Sequence, residues 1–114
     1  MAGWSMICSR LAMAAVLACG TVAAAHGQKV AEATSAMVAC IQVQSVVLDD
    51  DISDAATVAK GVVSGCKAKI LAYAKAAAGS DPKNVGRALD VAQEEGERDA
   101  IRYILINRKL AKKP

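Results

Sequence analysis

Four cysteines and one histidine are the residues of this chain whose types most readily carry chemistry. No two cysteines are spaced as C-x-x-C, which excludes a thioredoxin-type redox motif. Cys40 and Cys66 have no histidine near them, so they cannot complete a zinc site. In an oxidising compartment, an even pair of cysteines predicts a structural disulfide between Cys40 and Cys66.

His26, the single histidine, limits the catalytic arrangements that remain. Ser-His-Asp and Cys-His sites would need it as their base. At the first position of a processed chain, a histidine chelates copper through its amine and ring, but such sites normally need a second histidine. We therefore expect His26 to be an ordinary chain end, and we predict no catalytic, cofactor-binding or metal site.

An acidic run, Asp49-Asp50-Asp51 followed by Ser53 and Asp54, suggests a calcium loop but fails its pattern. In an EF-hand loop that starts at Asp49, the sixth position is Asp54, where glycine is needed. The twelfth position is Lys60, where a bidentate glutamate belongs. The run predicts an exposed helix–helix turn, with Ser53 or Asp51 as the cap of the next helix and Asp54 in its first turn.

Paired carboxylates for hydrolysis are the remaining chemical possibility, and they occur between Glu94 and Asp99. Neighbouring helical positions point away from each other, and no aromatic residues surround them to bind a sugar. A solvated helix face, balanced by Arg98 and Arg102, is the better interpretation.

Two further patterns also favour simple explanations. Gly61 and Gly65 have the small-xxx-small spacing that permits close helix approach, which predicts tight packing within the domain. The basic tail, Arg108-Lys109 and Lys112-Lys113, lacks interleaved aromatic residues. It therefore favours contact with anionic lipid over nucleic acid.

The amino terminus, residues 1–25, predicts a secretory signal peptide. Arg10 precedes an apolar stretch from Leu11 to Ala18, and an A-x-A site at Ala23–Ala25 follows. The apolar run is shorter than the roughly 20 residues of a spanning helix. Cleavage between Ala25 and His26 would release a periplasmic or secreted protein.

A second processing route starts from Cys19. The segment Val16-Leu17-Ala18-Cys19-Gly20 resembles a lipoprotein signal, in which cleavage before the cysteine leaves it to carry acyl chains. This route would give a membrane-anchored lipoprotein instead of a soluble product.

Residues 26–114 are enough for one small domain. Tyr73 and Tyr103 are its only aromatic residues, so its core must be built from small aliphatic side chains. A domain of this kind is marginally stable and would gain from a disulfide.

The apolar periodicity predicts helices at about 29–48, 54–78 and 82–110. Gly79 is the expected stop of the second helix, and Asp81 and Pro82 start the third. Glu94–Asp99, with Gly96, marks a possible kink. Cys40 and Cys66 are equidistant from Ser53, so an antiparallel hairpin that turns there would place them side by side.

The predicted fold is all-α: a disulfide-clasped antiparallel helical hairpin with a third helix that is continuous or kinked. The leading functional hypothesis is a small non-enzymatic envelope protein that binds another protein as an accessory or inhibitory factor. A lipoprotein anchored through Cys19 is the main alternative, and a small metal carrier or enzyme is a third hypothesis.

Overall fold

A computed structural model describes residues 26–79 and 81–113, and this part of the chain is all-helical. Four helices follow one another in it: α1 (His26–Val47), α2 (Ala55–Gly65), α3 (Lys67–Ala78) and α4 (Pro82–Ala111). The predicted signal peptide, the lipidation site Cys19 and the cleavage residue Ala25 lie outside the described residues.

Helices α1 and α2 form the predicted antiparallel hairpin. Cys40 and Cys66 are disulfide-bonded, with their Cα atoms 5.9 Å apart. Farther along α1, Gln44 lies over Gly65 and the end of the Leu48 side chain lies over Gly61. Later residues of α1 therefore meet earlier residues of α2, as an antiparallel pair requires.

The second predicted helix, 54–78, is interrupted at one residue. Cys66 has φ −102° and ψ 12°, which separates α2 from α3. Its N–H still donates to the carbonyls of Val62 and Val63, at 2.9 and 3.2 Å, so the interruption is local. Gly65, which has a low helix propensity, directly precedes Cys66, and the disulfide ties Cys66 itself to α1.

The helix ends follow from short-range side-chain hydrogen bonds. Asp54 caps α2 by accepting from the Thr57 N–H at 2.7 Å, so the prediction of Ser53 or Asp51 as the cap is wrong. Asp81 caps α4, and Pro82 occupies its first turn, as predicted. Gly79 ends α3 with φ 78°, a left-handed conformation that glycine adopts without steric cost.

Helix α4 is continuous through the polar segment 94–99 and packs antiparallel to α2 and α3. Gly96 is buried at the point where all the helices meet. A side-chain carbon built on Gly96 would lie 3.4 Å from Ile41 Cδ1, 3.7 Å from Ile70 Cδ1 and 3.8 Å from Val63 Cγ2. Glycine thus lets α4 cross the other helices closely.

The core consists of small aliphatic residues, as the composition predicts. Its buried members come from every helix: Met37, Ile41, Val58, Ala59, Val62, Cys66, Ile70, Ala92, Ala100 and Ile104. Tyr73 and Tyr103 pack against it from the side. Ser45 is also buried, and its hydroxyl donates to the Ile41 carbonyl at 2.6 Å. Leu105, in an apolar segment of α4, is nevertheless 53% exposed.

Candidate functional site

The turn between α1 and α2 is built by the side chain of Asp50. Its Oδ1 accepts from the N–H groups of Ile52 and Ser53, at 3.0 and 2.8 Å, and its Oδ2 accepts from the Ser53 hydroxyl at 2.6 Å. Asp51 adopts φ 59°, a conformation that aspartate tolerates better than most residues. The fixed turn leaves the Ile52 side chain 90% exposed.

Arg108, near the end of α4, joins that helix to the turn. Its Nε donates to both carboxylate oxygens of Asp49 at 3.1 Å, and its Nη2 donates to Asp49 Oδ1 at 2.6 Å. Nη2 also donates to the Ser53 carbonyl at 2.7 Å. The two side chains are only 19% and 10% exposed. The guanidinium geometry favours such forked contacts, so the pair fixes the orientation of α4 on the turn.

The electrostatics of the turn follow from these hydrogen bonds. The bonds from Arg108 hold the pKa of Asp49 below its usual value, and the same contact raises the pKa of Arg108. The bonds from the Ser53 hydroxyl and from the Ser53 and Ile52 N–H groups lower the pKa of Asp50 to about 2. The bond from Thr57 lowers the pKa of Asp54. All these groups are therefore charged at neutral pH.

Exposed large hydrophobic side chains lie close to Asp49 and Arg108 in the sequence. Among the described residues, nine large hydrophobic side chains are exposed, and eight of them lie within two helical turns of Asp49 or Arg108 in the sequence. We call this surface the apolar end; its members are Val43, Val46, Val47, Leu48, Ile52, Leu105, Ile106 and Leu110. The ninth, Val91, lies farther along α4. Because Arg108 contacts Asp49, the two segments that carry these eight side chains meet at one end of the bundle.

The residues that we singled out for chemistry are not brought together. His26 lies exposed at the start of α1, and Cys66 is 1% exposed in the core, within the disulfide to Cys40. In residues 26–79 and 81–113, no group of three histidine, cysteine or acidic residues is placed to hold a metal ion.

The carboxylates of the polar segment in α4 form exposed ion pairs along the helix. Arg98 lies 3.9 Å from Glu94, and Arg102 lies 3.8 Å from Asp99, with all four side chains largely in solvent. These are the helical spacings at which opposite charges interact weakly. Glu94, Glu95 and Arg98 are exposed, as a solvated face requires, whereas Gly96 in the same segment is buried.

Among the shallow grooves in the described residues, two lie between α4 and the α2–α3 arm. One, of about 330 Å³, lies beside Tyr73 and Ala77 and is lined mostly by apolar atoms. The other, of about 480 Å³, separates Lys60 and Lys67 of the α2–α3 arm from Asp90 and Glu94.

By length and composition, α1 is apolar enough to cross a membrane, and only 11% of its most apolar window is buried in the protein. The fold places charge beside it, however. Ile41 in α1 contacts the position of Gly96, and Gly96 is flanked in α4 by Glu95 and Glu97. A spanning α1 would carry these groups into hydrocarbon, which is costly. Three residues of α1, Val43, Val46 and Val47, belong to the apolar end.

The apolar end is the feature that the sequence interpretation missed. A signal for it exists in Val46-Val47-Leu48, where consecutive apolar residues point to more than one face of a helix. Only one face can pack against α2 and α4. The pairing of Arg108 with Asp49 had no local signal, because 59 residues separate the two.

Comparisons with known proteins give no assignment for this chain. No protein-family model, no curated protein and no solved structure matches it.

Proposed function

We propose that this chain is a small, exported, non-enzymatic protein of the cell envelope that acts by binding another protein through the apolar end. The observation that carries the proposal is the gathering of eight of the nine exposed large hydrophobic side chains at one end of the molecule. Exposed aliphatic surface costs free energy in water, and covering it drives association. The role that we propose for this chain is that of an accessory or inhibitory factor of the protein that it binds.

The apolar end is also preorganised for binding. Asp50 fixes the turn that presents Ile52, and Arg108 fixes α4 against the same turn. A surface held in its bound shape loses less conformational entropy when a partner arrives. This rigidity favours the interpretation of the apolar end as a docking surface, because a loosely packed chain end would not hold these side chains in fixed positions.

The proposal also includes a location for the protein, which is the periplasm or the medium after export. It is supported by the apolar amino-terminal region and by the disulfide between Cys40 and Cys66. Disulfides persist in oxidising compartments outside the cytosol. The intact mass of the protein from its own cells tests this directly, since a chain that begins at His26 shows cleavage after Ala25.

The same mass measurement decides the anchoring route. A chain that begins at Cys19 and carries acyl chains would replace the soluble product with a lipoprotein. The disulfide is tested by alkylation, because two thiols should react only after reduction. Thiols that react without reduction would remove the structural support for export.

Site-specific photo-crosslinking tests the binding surface. A photoreactive amino acid placed at Ile52, which is 90% exposed, should yield a crosslinked protein of defined size in intact cells. The matched control is Val91, which is 49% exposed and lies outside the apolar end. We expect crosslinks from position 52 and none from position 91. Equal yields from both positions would contradict a specific surface.

A further inference from the structure

The two cysteines of the disulfide differ in their access to solvent. Cys66 is 1% exposed and belongs to the buried core together with Val62 and Ile70. Cys40 is only partly buried, and it packs against that core from the side of α1. The bond therefore runs from the interior of the bundle toward its surface.

One side chain of α1 lies beside the disulfide. Gln44 follows Cys40 by one helical turn, and atoms of its side chain lie 3.5–3.9 Å from the place of the missing side-chain carbon of Gly65. Gly65 directly precedes Cys66. Because a helical side chain leans over the turn before its own Cα, Gln44 is placed to shield the disulfide at Cys40.

We propose that Cys40 is a thiolation site, at which the thiolate of a small-molecule thiol attacks the disulfide of the folded protein, and that Cys66 is the resolving cysteine. The proposal goes beyond the proposed function, since it involves no protein partner and none of the residues of the apolar end.

The step is a thiol–disulfide exchange, without net oxidation or reduction. A bond forms between the incoming sulfur and Cys40 Sγ, while the bond between Cys40 Sγ and Cys66 Sγ breaks. The electron pair of the broken bond stays on Cys66 Sγ, which leaves as a thiolate and takes a proton from water. The products are a mixed disulfide on Cys40 and a free thiol at Cys66.

Access decides which sulfur is attacked. The incoming thiolate must contact the sulfur with which it reacts, so exchange depends on exposure as well as on reactivity. Cys66, at 1% exposure, is reached only after the helices separate. Attack at Cys40 needs no more than a movement of the Gln44 side chain. The folded protein should therefore react at Cys40.

The burial of Cys66 makes the modification reversible. After the attack, buried residues of α1 and α2 such as Ile41 and Val62 still hold the two helices together. The Cys66 thiol then stays beside Cys40, and its thiolate attacks Cys40 Sγ, expels the small thiol and restores the original bond. A cysteine kept in the core thus favours repair of the disulfide over its loss.

Peptide mapping of the full protein purified from its own cells tests the assignment, with glutathione as the thiol. Oxidised protein is incubated with millimolar reduced glutathione, acid stops the exchange, and N-ethylmaleimide in denaturant blocks the remaining thiols. Cleavage after lysine places Cys40 in the peptide 30–60 and Cys66 in the peptide 61–67. We expect at least about tenfold more glutathione on peptide 30–60, because access separates the two sulfurs. Equal amounts on both peptides, or glutathione on neither, would overturn the proposal.

A matched pair of variants tests the role of access. Gln44→Ala removes the side chain beside Gly65, and Gln42→Ala makes the same change at an exposed position of the same helix. Melting curves show that both variants are folded at the temperature of the reaction. We expect Gln44→Ala to be thiolated at Cys40 at least about threefold faster than the unchanged protein, and Gln42→Ala to react at the unchanged rate. Equal rates in the two variants would also overturn the proposal, because the thiol would then not reach Cys40 beside Gln44.

Urea separates exchange in the folded protein from exchange through unfolding. Concentrations below the unfolding transition raise the unfolded fraction and leave the folded protein in excess. A nearly constant rate of thiolation at Cys40 over this range supports the proposal. A rate that rises in proportion to the unfolded fraction contradicts it, since the thiol would then react with the open chain.

Discussion

The helices are held together in two different ways, by burial and a disulfide at the centre of the bundle and by polar contacts at its apolar end. At the centre, Cys40 is bonded to Cys66, and aliphatic side chains close around Gly96 with almost no solvent contact. At the apolar end, Arg108 and Asp49 connect α4 to the turn while most of the large aliphatic side chains there face water.

The difference shows that the two regions carry different tasks. Burial and a covalent bond give the centre its stability, and they leave no surface for a partner. The polar contacts of the apolar end orient its elements and leave most of the aliphatic side chains there available for binding. Substitutions in the centre should therefore change stability, whereas those at the apolar end should change association.

The largest effect is expected from Cys66→Ser, which removes the disulfide and places a hydroxyl at a site that is 1% exposed. The bond closes a loop with a sequence separation of 26, and loss of such a crosslink costs about 3 kcal/mol. That is a large share of the stability of a small domain. Urea unfolding measures this loss of unfolding free energy. The double variant Cys40→Ala with Cys66→Ala is the control, because it removes the disulfide without adding a polar group. Equal stability of the reduced and oxidised protein would contradict this prediction.

A bulky residue at Gly96 should have the next largest effect. Side chains from α1, α2 and α3 lie 3.4–3.8 Å from the place of its missing side-chain carbon, so Gly96→Leu must push the helices apart. Overpacking of this kind costs about 1–3 kcal/mol. Gly96→Ala is the matched control: its single carbon makes ordinary contacts, and alanine gains up to about 1 kcal/mol of helix preference. If Gly96→Leu has the same melting temperature as the unchanged protein, the prediction is contradicted, because α4 would then have room for a large side chain at the helix crossing.

Removal of Arg108 should have an intermediate effect that is confined to the apolar end. Arg108→Ala takes away the forked contact with Asp49 and the bond to the Ser53 carbonyl. We expect the melting temperature to fall by roughly 5 °C, with faster amide exchange in the turn than around Gly96. Arg108→Lys should recover only part of the loss, because an ammonium group lacks the fork. A uniform rise in amide exchange would argue against a local role.

Acid should produce the smallest of these effects. The pKa values of Asp49, Asp50 and Asp54 are lowered by their native hydrogen bonds. A carboxylate of this kind stabilises the fold above its unfolded pKa, near 3.8, and loses that contribution as the pH falls through its native pKa. For Asp50 the loss therefore extends down to about pH 2. Unfolding midpoints at pH 6 and pH 2.5 should differ less in Asp50→Asn than in the unchanged protein, and an equal difference would contradict the assignment.

The fold could be predicted from the sequence wherever local patterns decide it. The apolar stripe through Met37 and Ile41, the cap at Asp81 and the stop at Gly79 are all local signals. The equal distances of Cys40 and Cys66 from the turn predicted that α1 and the following helix form an antiparallel hairpin. The break at Cys66 could not be foreseen, because it depends on how the crosslinked residue is held in three dimensions.

The candidate site could not be predicted in the same way. Whether Val47 or Leu105 is covered depends on the placement of all the helices, and both fall in apolar segments that look like core. The Arg108–Asp49 contact joins residues 59 positions apart, so neither residue signals the other. Only the folded arrangement distinguishes a buried stripe from a surface available to a partner.

The division of tasks between the two regions is tested most directly by one triple variant: Val46→Ser, Val47→Ser and Ile52→Ser. Its stability is measured in dilute solution, and its binding is measured in cells by photo-crosslinking from position 48. These side chains are 65%, 66% and 90% exposed, and serine matches valine in helix propensity. We predict an unfolding free energy within about 0.5 kcal/mol of the unchanged protein, together with loss of the crosslink. A loss of more than about 2 kcal/mol with the crosslink retained would contradict the account, because it would assign the apolar end to the core.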